Sequence, residues 1–287
     1  MKINVDAKNT TLGVFFLSFG RYMYVLSKTL LFYAVKWSDW HYFRPSLSDN
    51  MRSLTVLLFL FAPVWGVDST GLLVMAPEAL VQGLDVSHHQ KLIEWDTVLA
   101  HEKFEFAFVK ATEGTDFTDS LYCYNWESLQ RLGIRRGAYH FFRPNSCGYE
   151  QACHFLETVE MAGGDLPPVL DAEVLDGVSP DMLAEEMHIW LGIVRNTLGI
   201  SPIIYTNQHF YDRFLAGKGF EDYPLWIARY SDDRPVLQDG RKWDFWQCAN
   251  DYCIDGISKK VDRNIFPGTA EMLEDRCWKP LPSVGLP

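Results

Sequence analysis

The chain is short of cations. Its 287 residues carry 26 Lys and Arg against 37 Asp and Glu, a formal net charge of −11. Phosphate binding wants a basic face, so a nucleic-acid partner is excluded. The six cysteines include no Cys-x-x-Cys pair, and no paired Cys/His spacing of a zinc site occurs, so no metal is expected. No internal repeat is present, and no low-complexity linker interrupts the chain after Gln82. The uncharged run Leu54–Val67 (LTVLLFLFAPVWGV) stops at 14 residues, short of the ~20 that a spanning helix needs. Aromatics, by contrast, are plentiful at 15%, with 10 Trp. That is enough to fill a large core and still line a groove.

Residues 1–52 differ from the rest. They hold seven basic residues (Lys2, Lys8, Arg21, Lys28, Lys36, Arg44, Arg52) and three acidic ones (Asp6, Asp39, Asp49), whereas the whole chain is strongly acidic. Leu54–Val67 matches the apolar region of a secretory signal, with Met51-Arg52 as its positive lead and Val64 and Gly66 framing a cleavage site. Thr11–Trp37 is apolar and aromatic but broken by Arg21 and Lys28, which suits an interfacial or poorly formed transmembrane helix. Three regions follow: residues 1–50, a basic hydrophobic extension; 51–77, a signal peptide or membrane anchor with a linker; and 78–287, the body. The body is expected beyond the inner membrane, whether periplasmic, membrane-anchored or secreted. All six cysteines (Cys123, Cys147, Cys153, Cys248, Cys253, Cys277) lie in it. An even count in an exported domain suggests up to three disulfides, with Cys147/Cys153 and Cys248/Cys253 as local pairs.

Within the body, short β-branched and aromatic runs read as strands: Gln82–Val86, Phe106–Ala111, Arg136–Phe142, Pro168–Asp171, Ile203–Thr206, Leu225–Ala228, Phe245–Gln247 and Val261–Asn264. Helical patterns separate the first five. The clearest is Ser179–Leu198, whose Leu183, Met187, Trp190, Leu191, Val194 and Leu198 share a face. Ser179 and Pro180 suit its cap and first turn, and Gly199 its stop. Ser120–Leu132 and Tyr149–Ala162 are also predicted helices. Alternation of β and α over this length means a parallel sheet, and eight strands favour a barrel. Chemistry in such barrels sits at the C-terminal strand ends. Asp85, Asp171, Glu173 and Asp262 all fall where an apolar run stops, together with Tyr139, Tyr205, Trp226 and Trp246.

The pair in Pro168-Val169-Leu170-Asp171-Ala172-Glu173 is the most informative. Positions i and i+2 of a strand share a face. Two carboxyls there repel, so at least one pKa rises and one acid stays protonated beside an ionised neighbour. Glycoside hydrolysis uses such a pair, although an isolated Asp-x-Glu is more often a surface edge. Lys110, beside four acids, serves as an ion-pair partner or a substrate contact. Tyr139 and Tyr205 serve as substrate contacts or as core rings. His140 points opposite to Tyr139, toward outer helices. His88 and His89 are exposed loop residues without a role, and Asp176, Asp232 and Asp233 are solvated loop acids.

Eight segments in order, GLDVSHHQ with Trp95-Asp96 after it, FAFVKATEGTDFTD, RRGAYHFFRP, PPVLDAE, PIIYTN, PLWIARY, FWQ and VDRNIFPGT, resemble a glycoside hydrolase family 25 lysozyme, the Chalaropsis-type muramidases. The resemblance runs from Gln82 to Met272, and the hydrophobic lead looks like that of Gram-negative bacterial members. It implies an irregular TIM-like α/β barrel of five β/α units followed by three strands. It further implies a monomer without cofactors that cleaves the β-1,4 bond between N-acetylmuramic acid and N-acetylglucosamine in peptidoglycan glycan strands. Glu173 would be the general acid and Asp171 its partner carboxylate, with Asp85 and Asp262 completing an acidic cup. Tyr139, Tyr205, Trp226, Trp246 and Lys110 would contact substrate. Retaining, inverting and substrate-assisted routes all stay open, the last being favoured. Without a wall-binding repeat, targeting would come from the groove or from a membrane tether. Two competing functions are a silent peptidoglycan-binding module and a hydrolase of another N-acetylhexosamine polymer.

Overall fold

The computed structural model describes residues 80–280 continuously, and before them only five short backbone segments. Three of these, Phe15–Phe19, Tyr22–Leu26 and Phe32–Lys36, pair antiparallel. The described backbone of Thr11–Trp37 is therefore strand rather than helix, in keeping with its aromatic and β-branched content. Gly66–Val67 pairs with Leu73–Val74; the remainder of the signal-like stretch lies outside the described residues. Among the described residues no helix is long and apolar enough to cross a membrane.

The body is a closed barrel of eight strands. β1 (Val81–Val86), β2 (Phe106–Glu113), β3 (Arg135–Phe141), β4 (Val169–Asp171), β5 (Ile203–Asn207), β6 (Leu225–Ala228) and β7 (Phe245–Tyr252) run parallel in that order. The last strand, β8 (Val261–Phe266), pairs antiparallel with both β7 and β1 and closes the ring. Helices α1 (Trp95–His101), α2 (Tyr122–Arg131), α3 (Gly148–Thr158) and α4 (Pro180–Leu198) follow the first four strands. A short helical turn, Gln208–Phe210, and a π-helical turn, Tyr211–Leu215, follow the fifth. Five β/α units and three closing strands are thus observed. α4 starts as its sequence dictates: Ser179 Oγ accepts from Met182 N, Pro180 opens the first turn, and Gly199 closes it in the left-handed region at φ 70°. β7 overruns its expected end at Gln247 by five residues, because it continues as a bulged hairpin arm with β8.

Two apolar cores result. The outer one lies between strands and helices, and includes Val109, Leu170, Trp190 and Ile204. The inner one fills the barrel with Phe106, Phe108, Val169, Ile203, Trp226, Phe245 and Phe266. Helix α5 (Ala270–Glu274) and the turn after it add Leu273 and Cys277 to that inner core. So many inward rings need space, and two glycines supply it. A Cβ on Gly83 would sit 2.3 Å from the Phe106 ring, and one on Gly137 would sit 2.5 Å from the Phe108 ring.

The six cysteines are free thiols, contrary to the disulfide expectation. Three of the sulfurs have separate local partners: Cys248 Sγ donates to Arg263 O, Cys253 Sγ to Asp251 O and Cys277 Sγ to Leu273 O.

Gly83→Ala should destabilise the protein by about 1–3 kcal/mol, since the core cannot absorb a methyl group there. Gly192→Ala, inside α4 with nothing within 4 Å of the new Cβ, should stabilise by roughly 0.5–1 kcal/mol. Urea unfolding of both variants checks this; equal effects would contradict the packing just described.

Candidate active site

One mouth of the barrel gathers the acids. A cavity of about 260 Å³ is lined by Asp85, Asp171, Glu173 and Asp262, with Lys110 and Tyr139 among its other walls. Strand alternation explains who arrives there. Asp85 follows Val81 and Gly83 on the inner face of β1, Lys110 follows Phe106 and Phe108 on β2, and Tyr139 follows Gly137 on β3. Asp171 ends β4, and Glu173 continues its inward phase two residues on, just past the bond from Ala172 N to Tyr205 O. β8 runs the other way, so its first residues face the same mouth, and Asp262 stands directly across the ladder from Asp85.

Asp85 is 6% exposed and fixed on one oxygen: its Oδ2 accepts from Gln247 Nε2 at 2.9 Å and from Asn264 Nδ2 at 2.7 Å. Gln247 Oε1 in turn accepts from Tyr205 Oη at 2.8 Å and Tyr230 Oη at 3.0 Å. Asp171 is equally buried, but its Oδ1 has no hydrogen-bond partner. Lys110 Nζ lies 2.6 Å from Glu113 Oε2 and over the rings of Phe141 (4.9 Å) and Phe117 (5.5 Å). Residues i and i+3 of a strand normally face opposite ways. A register shift in β2 between Lys110 and Thr112 puts Lys110 and Glu113 on one side, as a β-bulge does.

Burial is the leading cause that raises all four carboxyls. For Asp171 the charge of Glu173 adds to it while Lys110 opposes; for Glu173 the Asp85 charge adds and Lys110 again opposes. Asp85 is raised by burial despite its amide donors, and Asp262, beside Asp85, is pushed from 3.8 to about 8. Burial also pushes the Tyr139 and Tyr205 phenols up, aided by the charge of Asp85 on Tyr139 and of Asp171 on both. The cup therefore retains protons at neutral pH.

Most of the expected site residues line this cavity: Asp85, Lys110, Tyr139, Asp171, Glu173, Tyr205, Trp226 and Asp262. Trp226 is a floor ring, 2% exposed, stacked 4.4 Å from Phe108 and donating its Nε1 to Asn264 Oδ1. Trp246 is not in the cavity. It faces away from the barrel axis, donating to Arg229 O and packing against Trp243. The two-residue period from inward Phe245 selects Gln247 instead, a residue that sequence reasoning passed over along with Asn264 and Tyr230. His89 also lines the cavity, although it is an exposed residue of the turn after β1, as expected. His140 is buried, bonded to Thr112 Oγ1 and Gln151 and stacked on Trp190 of α4, so it does face the helices. Asp232 and Asp233 are exposed. Asp176 is not a solvated acid: its Oδ2 lies 2.9 Å from Arg143 Nε, and its side chain is 14% exposed. No cluster of potential metal ligands occurs among the described residues.

The sequence model described as "Glycosyl hydrolases family 25" matches residues 84–257. The chain is 40% identical over 198 residues to the uncharacterized protein YegX of Escherichia coli K12, covering 68% of this chain and 72% of that one. It is 34% identical over 215 residues to lysozyme M1 of Streptomyces globisporus, covering 67% and 70%. Its fold is similar to that of a family 25 glycosyl hydrolase from Bacillus anthracis, with a TM-score of 0.64, 32% identity, and coverage of 68% and 92%. The bacterial lysozyme of Streptomyces coelicolor gives a TM-score of 0.64 at 32% identity, covering 68% and 96%.

The cup makes stability depend on pH. Asp262 binds a proton more tightly folded, at about 8, than at its ordinary 3.8. Its contribution is full below 3.8 and is lost as pH rises toward 8. Asp262→Asn keeps a donor toward Asp85 and removes the titration. Its unfolding free energy should gain on that of the wild type steadily from pH 4 to 8. Buried His140, pushed down to about 3, acts in the opposite sense but equally in both proteins, so it cancels from the difference, which reads Asp262 together with the carboxyls that face it. A pH-independent difference would refute the assignment.

Proposed function

This chain belongs to the glycosyl hydrolases family 25 and is a glycoside hydrolase, and from that premise we propose that it is an N-acetylmuramidase. Its substrate is the peptidoglycan glycan strand, and the bond cut is the β-1,4 link between N-acetylmuramic acid and N-acetylglucosamine. Support for the reaction comes from relatives named lysozyme and N,O-diacetylmuramidase. Support for the place comes from one observation above all: four carboxyls with raised pKa values share a single cleft of about 260 Å³ at the barrel mouth.

Glu173 is the general acid. It is the partly open member of the Asp171–Glu173 pair, and it can reach a glycosidic oxygen entering the cleft. Asp171 is the buried member, with an unused acceptor on Oδ1. An N-acetyl group at the scissile sugar carries an amide N–H that fits this acceptor. Donation to Asp171 favours its charged form and lowers its pKa, which moves the pair's shared proton onto Glu173 at the moment substrate binds. The acetamido oxygen then attacks the anomeric carbon while the C1–O bond breaks and the Glu173 proton passes to the leaving oxygen. Asp171 holds the N–H of the cyclic intermediate. Water, deprotonated by the Glu173 carboxylate, opens that intermediate and restores both residues. Asp85, pinned by Gln247 and Asn264, and Asp262 tune the charge opposite the reacting sugar, with Tyr139 and Tyr205 shaping the walls. The body acts beyond the inner membrane, where this polymer lies.

Glu173→Gln should abolish release of fragments with a reducing N-acetylmuramic acid end from purified peptidoglycan, read by mass analysis. Co-sedimentation with the wall but no fragments from either protein would favour a binding module. Fragments from chitin alone would favour a different polymer. Activity of the wild type should fall as pH rises through the elevated pKa of the pair, because the acid must be protonated. A flat profile into alkaline pH would contradict the role of Glu173.

A further inference from the structure

We infer that Arg143 and Asp176 form a clamp that positions the Glu173 carboxyl for proton donation; this rests on the reading of Glu173 as the acid. Glu173 lies beyond β4, on the loop that leads to α4. Its chain is tied to the barrel just before it, where Ala172 N donates to Tyr205 O. Three residues later the loop turns over Asp176 and Gly177, at φ 47° and 83°, closed by Val178 N to Leu175 O. Two consecutive positive φ values with that bond make a type I′ turn, for which Asp, Asn and Gly are all suited. Turn chemistry thus accounts for a small polar residue at 176 but not for a carboxylate.

The charge is used by Arg143. Its Nε lies 2.9 Å from Asp176 Oδ2 as an ion pair without hydrogen-bond alignment, and its NH1 lies 3.7 Å from Glu113 Oε1. Glu113 in turn holds Lys110 at 2.6 Å. A chain of alternating charge, Lys110–Glu113–Arg143–Asp176, therefore runs from the cleft wall to the Glu173 loop. Its anchor is rigid. The Arg143 backbone donates to Gln151 Oε1 and accepts from Gln151 Nε2, both at 2.9 Å. Gln151 is fully buried on α3 and bonds to His140, which is stacked on Trp190. The guanidinium thus projects from a fixed point to the one loop that carries the acid. With Arg143 37% and Asp176 14% exposed, the pair is partly solvated and contributes modestly to stability, so the expected consequence lies in geometry rather than in folding. Misplacing a reacting group by about 1 Å can cost on the order of a hundred-fold in rate.

The test uses full-length Asp176→Asn, Arg143→Gln and the double variant, with Arg143→Lys as the conservative variant and Glu173→Gln as control. Each is assayed on soluble glycan-strand oligomers and on a 2,4-dinitrophenyl glycoside of the same sugars, whose leaving group departs without a proton. On oligomers, kcat should fall roughly ten-fold in each single variant with KM unchanged. The double variant should be no worse than the singles, and Arg143→Lys should recover part of the loss. On the activated glycoside, single-turnover release of dinitrophenol should stay within about two-fold of wild type in every variant, since that step needs no general acid and precedes the one in which Glu173 acts as base. Equal losses on both substrates, additive losses, losses that track a lowered unfolding midpoint, or wild-type kcat would each overturn the clamp. Wild-type digestion of oligomers by Glu173→Gln would overturn the acid itself, and the clamp with it; loss confined to that variant would overturn the clamp alone.

Discussion

Everything at the mouth of this barrel depends on the direction of its last strand. Seven strands run parallel, and a parallel barrel presents only strand C-termini at one end. β8 runs opposite to both neighbours, so it delivers its beginning rather than its end. Asp262 therefore meets Asp85 across a ladder instead of facing it across a cavity, and Asn264 falls one inward step deeper, where it bonds both Asp85 and Trp226. Reversing that strand would put Phe266 at the mouth and the two polar residues in the aromatic floor.

The floor matters for the acids above it. Phe106, Phe108, Trp226, Phe245 and Phe266 form edge-on and stacked contacts at 4.4–5.7 Å, and Gly83 and Gly137 surrender their side chains to make room. Such a filling admits no water from below. Carboxyls resting on it lose hydration on one side, which is why burial leads every upward shift in the cup. Mutual repulsion is added to a site already dry. A stable fold tolerates this by keeping protons on some of the group, at the cost of losing stability as pH rises.

Much of this was legible in the sequence because a strand has a period of two. Eight apolar runs gave eight strands, and counting inward from their ends placed Asp85, Tyr139, Asp171 and Glu173 in one cavity. The same rule, applied to Phe245, would have rejected Trp246 and selected Gln247; the indole was chosen for its chemistry against its phase. Other features had no local signal. The bulge in β2 that turns Glu113 beside Lys110 depends on pairing with β3. Asp176 meets Arg143 only because β3 and β4 are neighbours, so in sequence it looks like any acid beside a glycine. The cysteines misled for a different reason: an even count is a property of composition, whereas a disulfide needs two Cβ atoms within about 4.5 Å, and Cys248, Cys253 and Cys277 each face a separate backbone carbonyl.

The four carboxyls are not equivalent, and their hydrogen bonds sort them. Asp85 has two amide donors on one oxygen and a neighbouring carboxyl across the ladder, so a ligand would have to displace protein to reach it. Asp171, as deeply buried, has an oxygen with nothing bonded to it. A buried acceptor without a partner costs about 1–3 kcal/mol. Under the proposed mechanism the missing partner is the substrate's own amide, so the penalty is relieved only when the sugar is in place. That makes Asp171 the residue through which binding is converted into protonation of Glu173. In the same proposed mechanism the better-satisfied Asp85, although equally conspicuous in the sequence, is a fixed charge rather than a partner in the reaction.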